Sequence, residues 1–308
     1  MVQQLAVSLS SRSGVVRRGV ILANPKAGSR STAMEQLREA FDSDGLDVRV
    51  EECDPSQLLH RLDTILDQQD GPSNLDFVGI AGGDGSIRCS VESLLSRRAS
   101  MPLLVVPTGT RNHFARDLGV DDVADAAAAA AAGHVRDVDV AWVNGLWFVN
   151  NSSIGAYPQL VSKRENREDR MPKPIATVVG AWHLLREAKK LPVRVDGSLE
   201  TVWLVFVGND RYGESVTDLS GRERLDDGML DVRVARAEGR LSRLRITCAV
   251  LFGRLSRSPL IERRECAAVV LDTGGVVDVA LDGEVITIQS PLEYRSRPAR
   301  LSVLAPPV

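Results

Sequence analysis

The 308-residue sequence predicts an α/β lobe built on a parallel sheet, followed by a second domain rich in antiparallel strands. Three observations carry that expectation. An apolar strand, a glycine-bearing turn and a helix start recur three times before residue 120, the repeating unit of a parallel α/β sheet. Leu103-Leu104-Val105-Val106 is continuously apolar, as a strand covered on both faces must be. From Val138 onward strands dominate, and only two stretches, 158–190 and 240–256, read as helical, which places a domain boundary near 135–140. The first domain is therefore expected over 1–137, completed by a returning strand within 292–308, and the second over 138–291.

The elements follow in order. Val20 to Ala23 is a short buried strand running into Asn24-Pro25-Lys26-Ala27-Gly28, and Thr32 with Glu35 has the spacing of a capping box before Met34, Leu37 and Phe41. Val48 to Val50 reads as a strand, and Leu58, Leu62, Ile65 and Leu66 mark one face of a helix. Phe77 to Ile80 leads into Ala81-Gly82-Gly83-Asp84-Gly85-Ser86, with Ile87, Val91, Leu94 and Leu95 at helical spacing beyond it. The third unit runs from the Leu103 strand through Pro107-Thr108-Gly109-Thr110-Arg111-Asn112-His113. Seven alanines, Ala126 to Ala132, closed by Gly133, make a helix with a glycine stop. Trp203, Val232, Val279, Val285 to Ile288 and Arg300 to Leu304 lie in later strands.

Composition excludes several classes. A net charge of -3 and a pI near 5.9 give no bulk electrostatic case for nucleic acid. An apolar fraction of 44% and a mean hydropathy of -0.07 describe an ordinary folded protein. No apolar run approaches the roughly 20 residues that span a bilayer. The four cysteines, Cys53, Cys89, Cys248 and Cys266, are scattered and read as reduced thiols of a cytoplasmic protein.

The chemistry is expected in the three turns. Loops at the carboxyl ends of neighbouring parallel strands converge on one crevice, where such folds bind nucleotides. Glycines in the loop Gly82 to Ser86 allow close backbone approach, and the helix that follows offers free N–H groups to an anion. Asp84 would repel a bare phosphate, so its presence points to a Mg²⁺ ion or a hydroxyl between them. The chain holds 33 Arg and 5 Lys, so Lys26 in the first loop hints at a compact phosphate-facing charge. Taken alone, each feature also has a structural reading: a glycine turn, a solvated lysine, and for Asp282-Gly283-Glu284 a hairpin turn. Arg240, Arg243, Arg245, Arg254 and Arg257, with leucines between them, read either as a basic amphipathic face for a membrane surface or as a packed helix with solvated arginines.

Five stretches together, Asn24 to Gly28, Gly82 to Ser86, Pro107 to Arg116, Asp227 to Val232 and Asp282-Gly283-Glu284, resemble the ordered motifs of the diacylglycerol kinase catalytic-domain family, soluble bacterial lipid kinases related to sphingosine and NAD kinases. The resemblance covers nearly the whole chain. It implies a nucleotide-binding α/β lobe, a β-sandwich lobe, and an active site between them that uses ATP and Mg²⁺ to phosphorylate a lipid hydroxyl, most simply diacylglycerol giving phosphatidic acid. It implies nucleotide contacts at Asn24, Lys26, Gly82, Gly83, Asp84, Gly85, Ser86, Gly109, Thr110 and Asn112. Glu284 matches the proton acceptor and Asp139 an acidic position tied to the catalytic metal. A structural Mg²⁺ is implied at Asp227, with the carbonyls of Arg224 and Met229. Asp84 belongs to the metal, and the reverse assignment, Asp84 as base, stays open. His113 stands where the family has Asp, and Arg88-Cys89 where it has Asn-Glu.

The resulting expectation is a cytoplasmic lipid kinase that meets its membrane peripherally, with no nucleic acid partner and a homodimer left open. The alternatives are a regulatory nucleotide-binding protein of the same fold without turnover, and a kinase for NAD or another soluble hydroxyl compound.

Overall fold

A computed structural model describes residues 17–24, 30–43, 45–67, 75–156, 189–213, 221–239, 242, 245–246 and 258–307. Lys26, most of the two stretches expected as helices at 158–190 and 240–256, and Arg240, Arg243, Arg254 and Arg257 lie outside the described residues.

The first half alternates strand and helix: β1 (Arg17–Ala23), α1 (Arg30–Phe41), β2 (Leu46–Glu52), α2 (Leu58–Asp67), β3 (Phe77–Gly82), α3 (Asp84–Ser96), β4 (Leu103–Pro107), α4 (His113–Asp117) and α5 (Val123–Ala132). Strands then take over: β5 (Val135–Val143), β6 (Leu146–Phe148), β7 (Asn151–Gly155), β8 (Leu191–Val195), β9 (Ser198–Asn209), β10 (Leu230–Arg236), β11 (Ile261–Cys266), β12 (Ala268–Asp272), β13 (Val276–Leu281), β14 (Glu284–Gln289) and β15 (Leu292–Leu304). Helix α1 begins at Arg30, so Thr32 lies inside its first turn and the capping-box spacing does not mark the helix start. Asp122 caps α5 by accepting the Asp125 amide at 2.9 Å, and Gly133 closes it at φ 60°.

Strands β2, β1, β3 and β4 pair in that order, all parallel, and β15 joins β4 in parallel. The order reverses between β1 and β3, the kind of switch point at which open α/β sheets form a crevice at the carboxyl ends of their strands. Every residue of β3 and β4 is buried. Helices on both faces demand that, and each fully buried Leu, Ile or Val contributes about 1.5–3 kcal/mol. On α2, Leu58, Leu62, Ile65 and Leu66 are the buried set, the face their spacing requires.

The second half is antiparallel. Strands β7, β8 and β10 all pair with β9, β13 pairs with β7 and β14, and β12 pairs with β8 and β15. Two strands belong to both halves. In β5, Val138 and Val140 enter the first core and Ala141 and Val143 the second. In β15, Leu292 and Tyr294 pack in the second core, and Leu301, Val303 and Leu304 in the first. The sheet is thus continuous, and the crevice side of the parallel lobe faces the antiparallel one across these shared strands. Among the described residues no helix is long and apolar enough to cross a membrane.

Gly155, at the end of β7, shows how tightly β7 and β9 are pressed together. Its φ is 95°, and a Cβ there would lie 2.5 Å from the Trp203 carbonyl oxygen. Gly155→Ala is expected to cost about 1–3 kcal/mol, from the positive φ and the backbone clash together. Urea unfolding of the two proteins checks this, and an unchanged midpoint would contradict it.

Candidate active site

Two of the glycine turns touch. Gly83 is the extended N-cap residue of α3 and no side chain caps that helix, so its first amides are left for another acceptor. A Cβ on Gly109 would sit 2.6 Å from the Gly83 Cα, so glycine is required for the two turns to meet. Asn112, held at φ 48°, braces its own loop: Oδ1 accepts the Gly109 amide at 3.0 Å and Nδ2 donates to the Gly109 carbonyl at 2.9 Å. Asp84, the first residue of α3, turns its carboxylate to the start of α4, where the His113 and Phe114 amides each approach at 3.4 Å.

The opposite wall comes from the second lobe. Asp282 and Gly283 have φ of 48° and 91° and make the two-residue turn joining β13 to β14. The hairpin reading of Asp282-Gly283-Glu284 is therefore correct as structure, and the turn delivers Glu284 to the glycine loop. A Cβ on Gly85 would stand 3.0 Å from Glu284 Oε1. The other oxygen, Oε2, is paired with the Arg88 guanidinium on α3. Asp282 points inward and accepts the amides of Val149 at 2.8 Å, Asn150 at 2.8 Å and Asn151 at 3.0 Å. Burial nevertheless pushes its carboxyl up to about 6, against the three amides that favour the charged form.

Between these walls lies a polar pocket of about 300 Å³, whose lining includes Asp84, Thr110, Arg111, Asn151, Asp282 and Glu284. His113 also faces it. Burial holds this imidazole below its usual value in spite of neighbouring Asp84, and Nδ1 has no partner.

The expected residues fall into three places. Gly83, Asp84, Gly85, Thr110 and Glu284 line the pocket; Gly82 ends β3, Ser86 lies in the first turn of α3, and Gly109 and Asn112 belong to the turn between β4 and α4. Asn24 lies past the end of β1, its amide on the Ala81 carbonyl at 3.1 Å. Asp139 is not brought to the pocket. It is buried at 1% exposure, and its carboxylate accepts the Gly228 amide and, at 2.8 Å, the Ala299 amide. It also faces Asp210, whose carboxyl burial and the Asp139 charge push up to about 8. Arg224 and Asp227 line a different cavity, of about 490 Å³, and Arg224 Nε holds Asp227 at 3.2 Å. The Met229 carbonyl accepts the Asp210 amide at 3.0 Å. No group of three or more His, Cys, Asp or Glu side chains able to hold a metal occurs among the described residues.

Several residues of the site gave little warning in the sequence. Arg222 is buried, bonds Asp117 at 2.6 Å, and donates to the carbonyls of Val149 at 2.6 Å and Asn209 at 3.0 Å and to Asn150 Oδ1 at 3.1 Å. Its only signal was an arginine within a short polar stretch. Asn150 and Asn151, directly after the apolar strand Leu146 to Val149, were readable as a polar doublet at a strand end.

Because the Asp282 carboxyl is raised in the folded protein, the stability its proton contributes is complete below about pH 4 and is lost as pH rises through about 6. The stability difference between native protein and Asp282→Asn is therefore expected to shrink across that window. Urea midpoints at pH 4, 5, 6 and 7 measure it, and a constant difference would show that Asp282 ionises as freely folded as unfolded.

Comparison with known proteins agrees with this architecture. Residues 18–143 match the diacylglycerol kinase catalytic domain, and residues 154–305 match the YegS C-terminal NAD kinase beta sandwich-like domain. The chain is 29% identical over 248 residues to a diacylglycerol kinase of Mycobacterium tuberculosis H37Rv, covering 75% of this chain and 77% of that one. To a diacylglycerol kinase of Bacillus subtilis 168 it is 27% identical over 217 residues, covering 68% and 71%. A crystal structure of a diacylglycerol kinase from Bacillus anthracis Sterne superposes with a TM-score of 0.66 at 22% identity, covering 95% of this chain and 97% of that one, a likeness of fold. The two matched domains follow one another along nearly the whole sequence, and the protein belongs to the diacylglycerol kinase catalytic-domain family.

Proposed function

We propose that the protein transfers the γ-phosphoryl group of ATP to a lipid hydroxyl, with diacylglycerol as the acceptor. The observation that carries this reading is the meeting of Glu284, from the second lobe, with the glycine turn at Gly85 on the first. Phosphoryl transfer needs the reacting groups positioned, charge neutralised and a place for the acceptor's proton. The touching turns at Gly83 and Gly109 form a cradle that a Cβ would fill, which fits a phosphate chain lying against backbone amides. The acceptor class comes from the names of the relatives at 27% and 29% identity.

Asp84 stands between the two turns and would hold magnesium together with phosphate oxygens and water, a donor set that suits this ion. Magnesium supplies neutralisation of phosphate charge when bound. Asp282 has its oxygens filled by three amides and serves to hold the pocket wall. Glu284, half exposed at the pocket mouth, takes the proton as the acceptor oxygen bonds to the γ-phosphorus and the bridging oxygen leaves with ADP. We assign residues 1–137 with 292–308 to nucleotide binding and 138–291 to the acceptor.

Radiolabelled ATP with diacylglycerol in mixed micelles tests the reading directly: label is expected in phosphatidic acid, and no transfer would overturn it. Transfer to NAD in place of the lipid would favour the soluble-acceptor alternative. Glu284→Gln is expected to keep nucleotide affinity within about twofold and to lower kcat by about a hundredfold or more, the contribution of a positioned general base. Retained turnover would remove Glu284 from that role. Gly109→Ala is expected to weaken ATP binding by about tenfold, because the two turns must part, as read by calorimetry.

A further inference from the structure

We propose that Arg88 is a positioning residue that aims Glu284 at the acceptor, leaving Oε1 as the one carboxylate oxygen that takes the proton; this rests on the phosphotransfer reading above. Arg88 lies in the second turn of α3, just past the glycine loop, while Glu284 opens β14, 196 residues later in the chain. The arginine side chain is 10% exposed and the glutamate 50% exposed. One partner is thus rigid and the other reaches into the pocket from open surface.

An exposed glutamate ordinarily samples several rotamers, and ordering it costs side-chain entropy. Here Oε2 is held by Arg88 Nη2, and Oε1 is turned to the face of Gly85, where only a hydrogen replaces a side chain. Arg88 Nη1 reaches Glu92 Oε2 at 3.4 Å, one turn further along α3, so the guanidinium is itself steadied from behind. Its Nε is buried without a partner, which marks a group placed for its outer fork and not for complete hydrogen bonding. Burial works against the arginine charge, yet Glu284 more than offsets this and holds the guanidinium above its usual value. The contact is the one ion pair among the described residues that joins the glycine-loop helix to the hairpin of the other lobe.

Arg88→Met and Arg88→Lys, each made in the native chain and in Glu284→Gln, test the assignment with the mixed-micelle assay. In the native background Arg88→Met is expected to lower kcat by about ten- to a hundredfold, the cost of a misplaced catalytic group, with KM for ATP within about twofold. Arg88→Lys should recover part of the loss, since charge remains but the fork does not. In Glu284→Gln the same change should lower kcat no further, because nothing remains to aim. A kcat within twofold of native, or an equal fall in both backgrounds, overturns the proposal.

Hydrogen exchange at the β14 amides gives an arm independent of turnover. Arg88→Met is expected to speed exchange there by about fivefold or more, with the α3 amides unchanged. If native protein transfers no phosphate to any acceptor, the functional reading fails and the exchange result alone decides whether Arg88 holds the hairpin. Should Arg88→Met not fold, Glu284→Ala removes the same contact from its exposed side and carries that arm, and unaltered exchange overturns the proposal.

Discussion

The structure depends on how the three residues Val149 to Asn151 are held. Their amides all end on the Asp282 carboxylate. The Val149 carbonyl receives Arg222, and the Asn150 side chain receives the same guanidinium. A buried anion grips the segment by its donors and a buried cation by its acceptors. Asp282 is compensated by those three amides and Arg222 by Asp117, so removing Asp117 would strand a buried cation away from water. Arg222 also reaches Asp117 at the end of α4, the helix that follows the Gly109 turn. The pocket wall of one lobe is thereby tied to the glycine turn of the other through a single guanidinium.

That arrangement explains why the pocket sits where it does. The notch where the turns after β3 and β4 meet is a property of the parallel sheet, and alone it would be open. The β13–β14 hairpin roofs it, because the Asp282-Gly283 turn is anchored downward by the same carboxylate that organises the wall. Glu284 follows Asp282 by two residues, so anchoring one places the other over Gly85. Asp139 does comparable work behind the site: it joins the Gly228 turn to the Ala299 bulge of β15.

What could be read from the chain follows the range of the forces involved. The glycine turns, the alanine helix with its Gly133 stop and the continuous apolar strands are local patterns, and the elements they announce are present. Thr32 and Glu35 had the right spacing for a cap, yet α1 starts upstream of them, since a cap pattern cannot exclude an earlier start. Arg222 and the Arg88–Glu284 contact could not be read, because each joins residues separated by a hundred positions or more and a charge pattern does not say which partner it meets. For Asp139, the sequence showed an acid between apolar residues. Only the fold reveals that backbone amides fill its oxygens.

The sharing of β15 between the two cores has a consequence for biosynthesis. The flank of β4 that β15 covers stays bare until residues 292–304 are made, although every other strand of the parallel layer was synthesised long before. A nascent first lobe emerging from the ribosome therefore carries an uncapped sheet margin, the kind of surface that recruits stray strands. Its maturation awaits residues 292–304, so a translation product truncated before them would be an aggregation hazard.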